Sequence, residues 1–433
     1  MISNEAASLA KETALQIAAR LADPKELSKL LEAAVANGRS PVGWRATGMS
    51  GSAVSVLALM SAAFQATEDP QFAEATLRYL KVVAAGTRSN PLTAPGLYSG
   101  SSGYNLVLDD ICQWEPRIDE LRKSIAESHR WQVEQLVRQP IPKEIGPWSY
   151  DLIDGPSGIL LALLSSDREF GHGESRLQVA LAEKLASLVM LEVDGLPRAR
   201  VNPSCYLPMQ DHLRSSFPNG YVDLGLAHGV PGILAALSAA SQAGHTSKHV
   251  QSALRDGHDW LWSQAITDAH GDNWASGVDA IDPEKLQGPT RTAWCYGAPG
   301  VALALVRSAE ALGDAESLAR AHRAVSSSLL RAQDHSNESS STLCHGDAGL
   351  VAVSISSGDA NDKSILELIS HFDSKNPFGY VDLNDQLEKI DDPGYLTGAA
   401  GVALTLLQAS GYSSRVLSTA TLLKPALLVN SIE

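Results

Sequence analysis

The sequence is short of the features that mark several large classes of protein. Its 433 residues include only four cysteines, too few for the disulfide framework of a secreted scaffold. No apolar run approaches the roughly 18 uninterrupted residues that a membrane span needs. Residues 1–20 lack the apolar core of a signal peptide. Together these absences predict a cytoplasmic protein.

Positive charge is also scarce. The chain has 34 lysines and arginines against 49 acidic residues, so its formal net charge is -15. A nucleic-acid partner or an anionic membrane would require a clustered basic face, and both are therefore disfavoured. Hydrophobic residues make up 44% of the chain, which is ample for a packed core.

What the sequence has instead is an internal repeat of the form GxxG. Seven such pairs, each followed by a run of small and apolar residues, are Gly48/Gly51, Gly100/Gly103, Gly155/Gly158, Gly229/Gly232, Gly297/Gly300, Gly346/Gly349 and Gly398/Gly401. Each pair predicts the first turn of a buried inner helix, because glycine permits a sharp turn and close packing. The intervening segments 118–137, 177–191, 250–262 and 318–332 have apolar residues at helical spacing. They predict amphipathic outer helices.

Alternating outer and inner helices predict an all-α fold, either an open superhelix or a closed ring. The inner runs are nearly free of charge, which favours closure, so we expect an α/α toroid of seven helix pairs in one domain over 1–433. Two intervals between glycine pairs are longer than the rest. The first contains 192–223, rich in proline and glycine, which predicts an inserted non-helical segment with short strands at 198–201 and 221–224. The second, 271–289, predicts a long loop.

Only three repeats carry cysteine or histidine in the two residues before the first glycine. These residue pairs are Ala227–His228, Cys295–Tyr296 and Cys344–His345. Equivalent positions of consecutive repeats lie on the same rim of a ring, so we expect these residues to be close. Two cysteines and a histidine predict a zinc site in which Cys295, Cys344 and His345 leave a fourth position open, as in catalytic sites. A free cysteine is more often a small buried hydrophobe, which fits Cys112 and Cys205.

Other polar residues before the glycine pairs are candidates for the same site. His228 is a candidate for a fourth metal ligand, a general acid or base, or a histidine held by hydrogen bonds at a helix terminus. Next to a metal, acid–base chemistry is favoured. Asp151 and Arg291 lie shortly before the third and fifth pairs. Taken alone, each is more typical of a surface or capping role.

Three motifs together resemble one protein family. GLAHG at 225–229, WCYGAPG at 294–300 and CHG at 344–346 resemble the lanthionine synthetase C-like (LanC) family, and the resemblance runs from the first glycine pair to the last. It implies an α/α toroid of seven helix pairs. It also implies the following site residues: one zinc on Cys295, Cys344 and His345, and functional residues at Asp151, His228, Arg291 and Tyr296.

The resemblance implies a lanthipeptide cyclase, which adds peptide cysteine thiols to dehydroalanine or dehydrobutyrine and closes (methyl)lanthionine rings. The zinc would activate the thiol. His228 and Arg291 would be the candidates that stabilise the charge of the resulting enolate and protonate it. The implied partner is a dehydrated precursor peptide with leader and core. A lanthipeptide dehydratase and an exporter are further candidates, through which the protein could lie at a membrane surface. Tyr296, the insertion at 192–223 and the lack of a preceding dehydratase region point to a stand-alone bacterial cyclase.

Two other interpretations remain. A relative that conjugates glutathione, or only binds a thiol, would use the same residues without cyclase activity; a neighbouring dehydratase gene and precursor gene would favour the cyclase. An α/α-toroid glycosidase or prenyl-chain enzyme is less compatible with the sequence. A glycosidase needs paired carboxylates, whereas the equivalent positions here carry cysteine and histidine.

Overall fold

The computed structural model describes residues 2–41, 44–166, 172–208, 210–285, 287–333, 340–384 and 387–422. The α-helices in these ranges are α1 Asn4–Leu21, α2 Pro24–Ala36, α3 Ala53–Thr67, α4 Pro70–Ser89, α5 Ser101–Cys112, α6 Asp119–Arg138, α7 Pro156–Ser165, α8 His172–Val189, α9 Asp211–Ser216, α10 Val230–Gln242, α11 Lys248–Ser263, α12 Ala298–Leu312, α13 Ala315–Gln333, α14 Asp347–Ser357, α15 Asp362–Ser370, α16 Ala399–Ala409 and α17 Arg415–Thr421. The strands are β1 Arg200–Val201, β2 Tyr221–Asp223, β3 Ile266–Asp268, β4 Gly271–Asn273, β5 Gly277–Asp279, β6 Asp382–Leu383 and β7 Lys389–Ile390. Among the described residues, no helix combines the length and apolar composition needed to cross a bilayer.

The predicted inner and outer helices are present. The seven runs that follow the glycine pairs form α3, α5, α7, α10, α12, α14 and α16. These helices are short of charge and mostly buried, as α16 shows, where every residue but one is buried. The four amphipathic segments form α6, α8, α11 and α13. The sequence pattern therefore predicted the helical framework correctly.

The glycines let the loop before each inner helix fold back onto its first turn. Gly297 caps α12 with a φ of +93°, a backbone conformation that residues with side chains rarely adopt. A side chain at Gly300 would overlap the carbonyl oxygen of Trp294, and one at Gly401 would overlap that of Tyr395. This close approach fixes the loop residues relative to the helix that they precede.

The first repeat departs from the glycine pattern. Helix α3 is capped by Ser52, whose side chain accepts a hydrogen bond from the backbone of Val54 at 3.0 Å. Ser55 completes a capping box by accepting a hydrogen bond from the amide of Ser52 at 3.3 Å. Serine side chains thus stand where the other repeats have glycine. The predicted pair Gly48/Gly51 lies in the preceding loop, so Ala46 and Thr47 are not the equivalents of Cys295 and Tyr296.

Backbone hydrogen bonds join the loops of successive repeats just before each helix cap. They use the residue two positions before the cap, except for the amide of Leu152, which stands three positions before Gly155. The bonds run from the amide of Tyr98 to the carbonyl of Ile153 (3.0 Å), from Leu152 to Ala227 (3.1 Å), from Ala227 to Cys295 (3.3 Å), from Cys344 to Leu396 (2.8 Å) and from Leu396 to Ser50 (3.2 Å). Ser50 stands two residues before Ser52, which supports Ser52 as the cap equivalent of the glycines. The repeat therefore places equivalent loop residues side by side.

The chain divides into two compact units. The first comprises Met1–Pro91, Leu106–Asp119 and Ser340–Glu433, and the second comprises Leu92–Asn105 and Glu120–Ser339. In the first unit α16 packs between the inner helices α3 and α14, and α1 packs against α16. In the second unit α10 packs between the inner helices α7 and α12, and α13 packs against α12.

The strands only partly follow the sequence prediction. Strands β1 and β2 lie in the two predicted stretches and pair with each other, and β2 also pairs with β5 in an antiparallel sheet. The segment 271–289 was predicted to be a loop, and that was wrong in part, because it contains β4 and β5. Three-residue strands are too short to show a periodic pattern. The segment 192–223 also contains the short helix α9, so its description as non-helical was wrong in part.

Candidate metal centre

His345, the last residue before the cap of α14, is held by a carboxylate. Its Nε2 lies 2.9 Å from Oδ1 of Asp382. The same oxygen accepts hydrogen bonds from the hydroxyl groups of Ser340 at 2.6 Å and Thr342 at 3.2 Å. A histidine that binds a metal commonly donates its other ring N–H to a carboxylate. The nitrogen of His345 that suits a metal is therefore Nδ1.

The three predicted metal ligands form one cluster. The sulfur atoms of Cys295 and Cys344 and a ring nitrogen of His345 all lie within 4.8 Å of one another. Cys295 is buried, and the other two are partly buried. Two thiols and an imidazole are a donor set that zinc prefers, and three protein ligands leave a fourth position for a substrate. The residues present fit a zinc ion, and they form a possible metal site.

His228 and Asp151, both predicted as site residues, are joined directly. Nδ1 of His228 lies 2.7 Å from Oδ2 of Asp151. Oδ1 of Asp151 accepts hydrogen bonds from the backbone amides of Asp154 at 2.9 Å and Gly155 at 2.6 Å. These amides lead into α7, so the buried carboxylate is fixed by the start of a helix. The side chain of His228 is 39% exposed, which leaves its ring accessible.

The pKa of His228 reflects two opposing effects. Burial on its own would lower this pKa, but the hydrogen bond and charge of Asp151, followed by the charge of Asp223, raise it above 6.5. The imidazolium form therefore persists to higher pH than in an isolated histidine. With Nδ1 directed at Asp151, Nε2 is the nitrogen from which a proton can be donated.

Tyr296 is held by a carboxylate that the sequence analysis missed. Its hydroxyl donates a hydrogen bond to Oδ2 of Asp223 at 2.8 Å, and Tyr221 donates to the same oxygen at 3.2 Å. The amide of Gly225 donates to Oδ1 at 2.7 Å. Burial first, and then the charge of Asp223, raise the pKa of Tyr296 well above 10. Tyr296 is therefore a neutral hydrogen-bond donor at neutral pH and not a base.

The group in the second unit includes His228, Tyr296 and Cys295. The rings of His228 and Tyr296 lie 6.5 Å apart between centroids, and the charge of Cys295 is the smallest of the named effects that raise the pKa of His228. The backbone of Gly225 lies against the Tyr296 ring, since a Cβ there would come within 2.5 Å of it. Arg291 begins the same loop and is exposed, and its role stays a prediction.

Asp223 and Asp382 share a sequence signal that could have identified both. Each is the fourth residue of the pentapeptide GYVDL, which occurs at 220–224 and again at 379–383. The first glycine has a positive φ in both copies, +95° at Gly220 and +89° at Gly379. Each aspartate holds the residue immediately before an inner-helix cap, namely Tyr296 or His345.

Comparison with known proteins supports the same family. The sequence model of a family described as "Lanthionine synthetase C-like protein" matches residues 44–420. The chain is 26% identical over 356 residues to nisin biosynthesis protein NisC of Lactococcus lactis subsp. lactis, which covers 76% of this chain and 77% of that protein. A solved structure of nisin cyclase has the same fold, with a TM-score of 0.74 and 21% identity over 92% of this chain and 97% of that chain. These matches confirm the family resemblance and the predicted fold class, the α/α toroid.

Proposed function

We propose that this chain, which belongs to the lanthionine synthetase C-like family, is a zinc-dependent lanthipeptide cyclase. It would add cysteine thiols of a dehydrated precursor peptide to dehydroalanine or dehydrobutyrine and so form lanthionine and methyllanthionine rings. The observation that carries the proposal is the cluster of Cys295, Cys344 and His345. Three such ligands suit a zinc ion that keeps one position for a thiol.

The metal ligands determine which kind of chemistry the site favours. When bound, zinc supplies a Lewis acid that lowers the pKa of a substrate thiol from its usual value of about 8.5. Cys295 and Cys344, as thiolates, balance the double positive charge of the ion. The site is therefore better suited to producing a nucleophile than to polarising a carbonyl group.

His228 would supply the proton that completes the reaction. The thiolate sulfur forms a bond to the β-carbon of the dehydroamino acid, the C=C π-bond breaks, and an enolate remains. His228 can protonate the α-carbon from Nε2, because Asp151 holds Nδ1 and raises the pKa of the ring. The proton lost by the thiol balances the proton gained at carbon, so the mass of the peptide does not change.

Tyr296 and Arg291 would have supporting roles. The Tyr296 hydroxyl donates to Asp223, so the ring is held beside His228 and would orient it. Arg291 is exposed at the start of the Cys295 loop, where a cation could stabilise the negative oxygen of the enolate.

The proposal is tested with a synthetic dehydrated peptide that contains one cysteine and whose uncatalysed ring closure is slow. Cyclisation is scored by loss of reaction with a thiol-alkylating reagent, since the mass of the peptide stays constant. The zinc-loaded protein should protect the thiol, and Cys295→Ala should lose both zinc and protection. A wild-type protein that binds zinc but leaves the thiol reactive would show that it is not a cyclase for this class of peptide.

The same ligand cluster supports a second candidate function, the conjugation of a small thiol such as glutathione. An open position on zinc accepts any thiol of suitable size. Glutathione added to the assay separates the two functions, because conjugation increases the mass of the peptide and cyclisation does not.

Domain organisation, location and partners belong to the same proposal. The chain would form one cyclase domain in the cytoplasm with an insertion at 192–223. Its partner would be a precursor peptide with leader and core, and a dehydratase and an exporter would act in the same biosynthesis.

A further inference from the structure

The carboxylate of Asp382 collects three donors from a single loop. Ser340, Thr342 and His345 all direct polar atoms at its Oδ1, at 2.6, 3.2 and 2.9 Å. Asp382 lies on β6 and is only 7% exposed. It is the partner of Ile390 in the pairing of β6 with β7. The loop that carries Cys344 and His345 is thus anchored to an element outside it.

The hydrogen bonds within this loop make it a closed unit. The hydroxyl groups of Ser340 and Thr342 lie 2.9 Å apart, and the amide of Asp347 donates to the carbonyl of Ser340 at 2.9 Å. These hydrogen bonds fix the backbone of the loop. What can still vary at His345 is the rotation of its ring and the ring nitrogen that carries the proton. Asp382 acts on both.

A carboxylate at Nε2 favours one of the two neutral forms of the ring. With the proton on Nε2, His345 donates to Asp382 and leaves the lone pair on Nδ1. With the proton on Nδ1, the lone pair of Nε2 would face a carboxylate oxygen, which is electrostatically unfavourable, and Nδ1 could not bind a metal. We propose that Asp382 is a positioning residue of the metal centre, which selects the Nε2–H form of His345 and directs Nδ1 to the metal. The inference rests on the proposed zinc site but not on ring formation.

The chain offers a matched control in the seventh repeat. Asp392 is also buried, at 4% exposure, and its Oδ2 accepts a hydrogen bond at 2.6 Å from Thr397, the residue before the cap Gly398. Threonine is not a member of the ligand cluster. Asp392→Asn therefore weakens a comparable hydrogen bond of a buried carboxylate, made within one loop, without touching a metal ligand.

The test measures zinc affinity by competition with a chelator in the full-length protein. Asp382→Ala should bind zinc about 10- to 100-fold more weakly than the wild type, the usual cost of losing such a partner. Asp382→Asn should lose less, because its amide oxygen can still accept from Nε2–H. Asp392→Asn should bind zinc as the wild type does. Thermal melting without metal checks that each variant folds.

The form of the His345 ring gives a readout that a purely structural role would not change. Nitrogen-15 NMR of the metal-free protein should show the proton of His345 on Nε2 in the wild type and in Asp392→Asn. This preference should weaken in Asp382→Asn, the variant that carries the test if Asp382→Ala does not fold. Wild-type zinc affinity together with an unchanged ring form in the Asp382 variants would overturn the inference.

Failure of the inference is distinguishable from failure of the proposed function. Weakened zinc binding by Asp382→Ala in a protein that closes no rings would support the inference and contradict only the cyclase assignment. A wild-type protein without zinc affinity would overturn the metal centre, and this inference with it.

Discussion

His228 and Asp151 form a 2.7 Å hydrogen bond across a separation of 77 residues. The histidine stands before the cap of α10, and its partner comes from the loop before α7. The functional pair is therefore built by two successive repeats and not within one. The same relationship makes the protonation of His228 open to experiment.

Asp151→Asn should move the basic limb of the pH–activity profile to lower pH. In the wild type, burial lowers the pKa of His228, but Asp151 and Asp223 outweigh it and the net pKa is raised. A proton donor works only while it is protonated, so activity should fall as the pH rises through this raised pKa. Without the charge of Asp151 the pKa falls, and so does the pH at which activity is lost.

The measurement is the initial rate of thiol protection as a function of pH. Asp154→Asn is the control, since Asp154 accepts a hydrogen bond from the amide of Ser99 at 2.8 Å and is not the partner of His228. A basic limb that stays in place in Asp151→Asn would contradict the assignment of His228 as the proton donor.

His228→Ala should keep zinc and lose much of the rate. General acid catalysis typically contributes on the order of a hundredfold or more. Metal content and single-turnover cyclisation should be measured on the same preparation. Loss of zinc together with activity would identify His228 as a fourth ligand and refute its role as an acid.

The purified protein should contain about one zinc per chain, as a single three-residue site implies. Cys344→Ala and His345→Ala should each reduce the zinc content sharply. Cys205→Ala should not, because Cys205 packs against a core of Val201, Tyr206, Phe217 and Tyr221. Equal zinc content in all of these proteins would rule out the proposed ligands.

Gly225→Ala should reduce activity while zinc is retained. The added methyl group would come within 2.5 Å of the Tyr296 ring, so the ring must shift from the position in which it donates to Asp223. Overpacking of this kind typically costs about 1–3 kcal/mol of stability, which thermal or denaturant unfolding would detect. Gly288→Ala has open space around it and should leave both properties unchanged.

The helical framework was predictable because the same glycine pattern occurs several times in the sequence. Gly297, Gly346 and Gly398 each mark a helix start. Cys295 and Cys344 could be grouped because they hold the same position relative to these glycines. The glycine pattern gave the wrong cap position in the first repeat, because the side chain of Ser52 caps that helix.

The carboxylate partners were harder to foresee. Asp223 and Asp382 come from short strands outside the glycine loops, so no spacing rule links them to Tyr296 or His345. Strand β5 escaped prediction for a related reason, because it pairs with β2, which is distant in sequence. Strand β4 pairs locally with β3, and its three residues are too few to show a periodic pattern. The repeated pentapeptide GYVDL was the sequence signal that could have identified these two carboxylates.

The loops before the inner helices are joined through amide and carbonyl groups, and this has a consequence for how such a protein can evolve. Ala227, Cys295, Cys344 and Leu396 occupy the same joining position although their side chains have little in common. A bond made by the backbone survives the exchange of one side chain for another. Reactive groups could therefore be gained or lost at these positions by single substitutions, while the connection between neighbouring repeats is inherited unchanged.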